Sequence, residues 1–196
     1  MRTFIVTVLG LLLFNKGQGQ RLSLDEFNGQ RKKINSRGLV VIGSWSAANI
    51  IYGSIARSQT TGSTRYFHEM NALWNTVTFG LATAGYVFRK KEEGLRFDES
   101  LKRQASAEKI FLLNAGLDVA YIAGGLYLKE RSRNKLNQTE KLKGYGESVM
   151  LQGSALLLFD AVMYGLHNHH GKQLIKLAEN VTFTSTVNGF GVVANL

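Results

Sequence analysis

Four apolar runs, each about as long as a membrane-crossing helix, follow one another along the chain with charged segments between them. Their only Asp, Glu, Lys or Arg residues are Asp118 in the third run and Glu147 and Asp160 in the fourth; the runs are 38–56, 71–88, 110–128 and 146–167. A helix needs about 20 mostly apolar residues to cross the roughly 30 Å hydrocarbon core of a bilayer. The pattern therefore predicts an all-α fold, a transmembrane four-helix bundle over residues 38–170.

A soluble four-helix bundle is the alternative, because the mean hydropathy of −0.07 is close to zero. Helices of a soluble bundle carry a charged face along their whole length, and the four runs lack one. Basic residues stand instead at the ends of the runs, where they would meet anionic lipid headgroups: Arg37, Arg57, Arg89, Lys109 and Lys129. The net charge of +10 therefore indicates that membrane lipids are the partners of these basic residues. Their placement argues against binding of nucleic acid.

The N-terminal residues 1–19 have the pattern of an export signal peptide. Arg2 is followed by an apolar stretch over residues 3–14 and by the small residues Gly17 and Gly19. The stretch is too short to cross the bilayer, so a cleaved signal is favoured over an uncleaved anchor. Residues 20–37 come next, and Ser23 and Glu26 have the spacing of a capping box. This segment predicts a short amphipathic helix on the membrane surface, with a solvated linker as the alternative.

The C-terminal residues 171–196 form a tail beyond the fourth run. The fourth helix can extend past His170 into the sequence that follows it. The last sixteen residues first alternate in polarity and then become rich in Gly, which fits either a short pair of strands or a disordered end.

Two signals disagree about the orientation of the bundle. With the export signal cleaved, both ends of the chain lie outside, and fourteen Lys and Arg residues lie on that side against eight on the other. The positive-inside rule prefers the reverse arrangement. Both orientations therefore remain open.

Polar side chains inside the runs are the candidates for function. An Asp near the centre of a membrane helix costs about 2.5–3.5 kcal/mol, so such groups face the interior and find partners. Asp118 lies about 12 Å below the start of its run, and Asp160 about 10 Å from the end of its own. On antiparallel neighbours they lie at one depth and can meet. Packing alone is the other explanation; the candidate ligand- or proton-binding residues are Asp118, Asp160, Asn49, Asn75 and Asn114.

Several chemistries find no support in the sequence. The chain has no Cys, which excludes disulfides, thiolate metal sites and Cys nucleophiles. It shows no Ser–His pair, HExxH motif or phosphate-binding Gly-rich loop. His68 and His167 mark opposite membrane faces and cannot bracket one haem. We therefore predict no catalytic residue, no metal and no cofactor.

The number and length of the runs and the placement of Asn and Asp resemble small four-span bacterial membrane proteins grouped in families of unknown function. The resemblance covers roughly residues 20–180. It implies a multi-pass protein of the bacterial inner membrane built as a helical bundle, and it implies no activity.

Two functions fit these features. The first is a non-enzymatic scaffold or complex subunit, which would form a homo-oligomer or bind a membrane partner through small residues spaced four apart: Gly43, Ala47, Gly80, Ala84, Gly116, Ala120 and Gly124. The alternative is a carrier or sensor that binds a proton, a cation or a small polar ligand in an Asn/Asp-lined interior.

Overall fold

A computed structural model of the chain describes residues 23–179, 181–186 and 189–194. These residues form four long helices, two short 3₁₀ turns (Ser132–Asn134 and Leu136–Gln138) and two strands: α1 (Leu24–Gln59), α2 (Gly62–Val87), α3 (Phe97–Arg131), α4 (Thr139–Glu179), β1 (Val181–Thr186) and β2 (Gly189–Ala194). The predicted all-α four-helix bundle is confirmed. The signal peptide predicted for residues 1–19 lies outside the described residues.

Helix α1 begins at the predicted capping box and does not stop before the first apolar run. The Ser23 hydroxyl accepts a hydrogen bond from the Glu26 amide (3.2 Å), and the Glu26 carboxylate accepts one from the Ser23 amide (2.7 Å). No Pro interrupts the helix, which continues to Gln59. The separate surface segment predicted for residues 20–37 is thus replaced, from Leu24 onwards, by the first turns of a long helix. Phe27 and Arg31 in these turns are buried.

Helix α4 extends past His170 to Glu179, and a hairpin follows it. Strands β1 and β2 pair antiparallel, with Val181 opposite Ala194 and Thr186 opposite Gly189. Of the two structures that the tail sequence allowed, the structure has the pair of strands.

The bundle consists of two antiparallel hairpins, α1–α2 and α3–α4. Helices α3 and α4 pack with their backbones almost in contact, because Gly125 of α3 lies directly against Gly146 of α4. Helix α4 also packs along α2, with Gly144 at the closest approach. Helix α3, by contrast, lies apart from α1 and α2 over most of its length. A cleft therefore opens between α3 and the α1–α2 hairpin, with α4 behind it.

Burial in this fold is the reverse of that in a water-soluble protein. Among the described residues, fifteen polar side chains are buried against seven apolar ones, while large apolar side chains such as Val77, Leu81 and Leu113 are about two-thirds exposed. A surface of this kind is stable where the surroundings are themselves apolar. Helices α1, α3 and α4 are long and apolar enough to cross a membrane. Helix α2 is not among them, and its crossing stays a prediction.

A polar contact joins the two hairpins at the membrane face that carries the α1–α2 turn. Glu69 of α2 accepts hydrogen bonds from Arg57 of α1 (2.9 Å) and from the Tyr145 hydroxyl of α4 (2.6 Å). The Tyr145 hydroxyl and the Arg57 guanidinium lower the pKa of Glu69 below its usual 4.5, although burial opposes them. The contact is thus strongest when Glu69 is ionised.

We expect Glu69→Gln to lower the free energy of unfolding by about 1 kcal/mol at pH 7. Because the pKa of Glu69 is lower in the folded state, its contribution is present above pH 4.5 and disappears as the pH falls through the lowered pKa. Unfolding in detergent, followed by circular dichroism at neutral and acidic pH, measures the difference. Glu130→Gln, which removes an exposed pair with Arg133, serves as the control. An equal loss at both pH values would contradict an ionic origin.

Candidate functional site

The predicted interior residues form two clusters rather than one. The first is an amide network that connects α1, α2 and α4 around Asn71. Asn71 donates to the Asn49 side-chain oxygen (3.1 Å), and Gln152 donates to the Asn71 side-chain oxygen. Asn75 donates to the Asn71 backbone oxygen (2.8 Å). These amides satisfy one another in part: the Asn75 side-chain oxygen is buried and accepts no hydrogen bond from any described residue.

Trp45 and Gln152 belong to the same network, and sequence reasoning missed their connection. The Trp45 indole donates to the Gln152 side-chain oxygen (3.4 Å). Gln152 is buried and hydrogen-bonds both Trp45 and Asn71, so it links α4 to α1 and α2. The position of Gln152 inside the fourth apolar run indicated that it has a polar partner, but the sequence does not show which residue that partner is.

The second cluster holds the three remaining candidates, Asn114, Asp118 and Asp160. The side chains of Asp118 of α3 and Asp160 of α4 interact, as their equal depth predicted, and Asn114 interacts with Asp160. Both aspartates are buried, at 2% and 5% exposure. Within the described residues, no amide, hydroxyl or basic side chain donates to Asp118 Oδ2. Two carboxyl groups hydrogen-bond each other only when one of them carries a proton, so the arrangement suits a pair that shares one.

All three residues of this second cluster, Asn114, Asp118 and Asp160, line the cleft between the hairpins. The cleft has a volume of about 860 Å³, within the roughly 300–1,000 Å³ typical of ligand sites. Beside the acid pair, Trp74 of α2 meets Tyr121 of α3 edge to face, with 4.8 Å between ring centroids. The walls around them are apolar and include Ile42, Leu81, Phe111, Leu156, Phe159 and Met163.

The mouth of the cleft is basic. We call it the basic rim: six cationic side chains and Glu92 line it, namely Arg31, Lys32, Arg89, Lys90, Lys102 and Arg103. Glu92 pairs with Arg31 and with Arg103 (3.4 Å). Lys90 and Lys102 are exposed and form no ion pair with any described residue. The rim therefore carries an excess of positive charge.

The histidines at the end of α4 are structural. The His167 ring lies parallel to Phe111, with 5.3 Å between centroids, and its Nε2 contacts Asn35 Oδ1 at 2.9 Å. The His170 ring stacks on Phe27, and its Nε2 contacts the Phe27 carbonyl oxygen at 3.0 Å. A carbonyl oxygen only accepts, so the His170 Nε2 carries a hydrogen and donates it to that carbonyl. Among the described residues, no group of three or more His, Asp or Glu side chains could hold a metal.

Comparison with known proteins adds a family and no activity. No curated protein and no solved structure matches the chain. A family of unknown function, DUF6992, matches residues 41–161, which include the amide network, both aspartates and much of the basic rim. As this match covers more than half of the chain, the protein belongs to the DUF6992 family of unknown function.

Proposed function

We propose that this protein is a membrane-embedded binding protein, a carrier or sensor, that takes its ligand into the cleft between its hairpins. The observation that carries the proposal is the cleft itself, with the Asp118–Asp160 pair in its wall. A bundle that served only as packing would be expected to close this space, because apolar interiors pack to high density. We place the protein in the bacterial inner membrane, with α2 as a fourth crossing and no catalytic activity of its own.

The acid pair gives the cleft a group whose charge can change. A shared proton keeps one carboxyl neutral and reduces the cost of two acids in an apolar environment. A ligand that fills the cleft beside the pair changes the solvation of the two carboxyl groups, and with it their affinity for the proton. Binding in the cleft and protonation of the pair would then be coupled, which is what a carrier or a sensor requires.

A scaffold or complex subunit is the competing proposal. It is supported by small residues on the outer faces of the bundle, since a Cβ added at Gly80, Gly116 or Gly124 would meet nothing within 4 Å. Such surfaces permit close approach of another helix. A scaffold makes no use of a shared proton, so the two proposals differ in what the aspartates do.

Infrared spectroscopy of the protein in membranes tests the proposal. We expect a protonated carboxyl band at pH 7 that Asp118→Asn removes. The Asn amide N–H can donate a hydrogen bond to the remaining carboxylate, which then ionises instead of holding the shared proton. Asp160→Asn should remove it as well. Glu147→Gln, at the membrane surface beside Lys129, should leave the band unchanged.

Infrared bands of two ionised carboxylates at pH 7 would contradict the proposal that the two aspartates share a proton. In cells, the binding proposal requires that both Asp→Asn variants are expressed normally but lose a pH- or ligand-dependent response. Normal expression with an unchanged phenotype would support the scaffold instead.

A further inference from the structure

We propose that the ligand of the cleft is an anionic glycerophospholipid, with its headgroup at the basic rim and an acyl chain in the apolar part below. The inference rests on the proposed function, because it takes the cleft as the ligand site, and it adds the chemical class of the ligand. Three features of the cleft support it: the charge of its mouth, the character of its walls and its depth.

The charge of the rim is complementary to a phosphodiester. Six cations and one acid line the mouth; Glu92, together with Glu93 beside Lys32, balances only part of that positive charge. Lys90 lies in the loop between α2 and α3, and Lys102 lies near the start of α3, so they approach the mouth from two directions. Lys side chains contribute to phosphate binding as point charges and interact with anionic lipid at a membrane surface.

The walls below the rim suit an acyl chain. The side chains below the rim are mainly aliphatic and aromatic, including Leu39, Val77, Ile110 and Phe159. Helix α3 lies apart from α1 and α2, so the cleft opens sideways between the hairpins. A lipid can therefore enter from the membrane without passing through water.

The depth of the cleft corresponds to one leaflet. Asp118 lies eight residues below Ile110, the first residue of the third apolar run, or about 12 Å along the helix axis. Half of the hydrocarbon core is about 15 Å. The Trp74–Tyr121 contact lies deeper, because Tyr121 follows Ile110 by eleven residues, or about 16 Å along the helix axis. A cleft with a basic mouth at the membrane face and a floor near the bilayer centre matches a single lipid of one leaflet.

The chain contains two Trp residues, and they provide matched reporters. Trp74 lines the cleft, whereas Trp45 hydrogen-bonds Gln152 and does not line it. The full chain carrying Trp45→Phe is reconstituted in phosphatidylcholine vesicles that contain a small fraction of brominated-chain phosphatidylglycerol or brominated-chain phosphatidylcholine. Bromine quenches Trp fluorescence on contact, so Trp74 reports the lipid that occupies the cleft.

We expect brominated phosphatidylglycerol to quench Trp74 with at least about tenfold higher apparent affinity than brominated phosphatidylcholine. Lys90→Gln with Lys102→Gln should reduce this preference to about twofold or less. Lys33→Gln with Lys109→Gln is the matched control, because it removes the same charge from the same membrane face at exposed residues outside the cleft. The control should keep the preference, and a Trp74→Phe chain, which reports through Trp45, should show none.

Equal quenching of Trp74 by the two lipids would overturn the inference, as would an unchanged preference after removal of Lys90 and Lys102. A preference lost equally in the control pair would show attraction to the whole membrane face rather than to the cleft, and would also overturn it. These outcomes are distinct from failure of the proposed function. If the carboxyl band behaves as proposed but Trp74 shows no lipid preference, the protein binds a ligand of another class.

Discussion

Gly125→Ala is expected to lower the free energy of unfolding by about 3 kcal/mol, the upper end of the usual cost of overpacking. A Cβ at Gly125 would lie 2.7 Å from the Gly146 carbonyl oxygen and 2.8 Å from the Met150 amide nitrogen. These are backbone atoms, so no side-chain rotation relieves the contact, and α3 and α4 must move apart. In a membrane, close packing at small residues is a main source of attraction between helices, which makes the separation costly.

The neighbouring residue is the control. Gly124 precedes Gly125 in α3, but a Cβ there would meet nothing within 4 Å. Gly124→Ala should therefore be neutral or stabilise the helix by up to about 1 kcal/mol, the difference in helix propensity between Gly and Ala. Reversible unfolding in mixed micelles, followed by loss of helicity, measures both variants. If they have the same stability, the close approach of α3 and α4 does not hold the bundle together.

The sequence predicted the helices because their causes are local. Runs of apolar residues at membrane length, the absence of Pro and the Ser23–Glu26 spacing each act within one segment, and all lead to helices that the structure contains. The depth argument for Asp118 and Asp160 also succeeded, because depth depends only on the rise of a helix and on antiparallel neighbours. Properties that one helix determines alone could thus be predicted.

Other features depend on how helices are rotated and spaced, and these the sequence did not reveal. Asn71 bonds Gln152 rather than the aspartates because α2 turns that face toward α1 and α4. The predicted single Asn/Asp interior therefore divides into two clusters. The cleft arises because α3 stands away from the α1–α2 hairpin, and no residue pattern within α3 specifies that distance. His170 stacks on Phe27, which is 143 positions away in the chain. The sequence around His170 predicted only that the fourth helix continues there and gave no sign of this contact.

A buried ion pair between Arg31 and Glu92 anchors the first turns of α1, which lie well before its apolar run. Arg31 is 1% exposed and lies in the segment predicted to rest on the membrane surface. Its guanidinium donates to the Glu92 carboxylate, to the Ser100 carbonyl (2.8 Å) and to the Asn28 side-chain oxygen (2.7 Å). One side chain thus holds the start of α1 against the α2–α3 loop and the first turn of α3.

We expect Glu92→Ala to lower the free energy of unfolding by about 3 kcal/mol, because it leaves the Arg31 guanidinium buried without its counterion. Glu93→Ala is the matched control: the adjacent carboxylate is 70% exposed and lies 3.7 Å from Lys32, a pair worth at most about 1 kcal/mol. Arg31→Met in the Glu92→Ala background should recover much of the loss, since it removes the unpaired charge. Limited proteolysis at Lys90 and Lys91 measures release of the loop, and equal cleavage of the two single variants would contradict the role of Glu92.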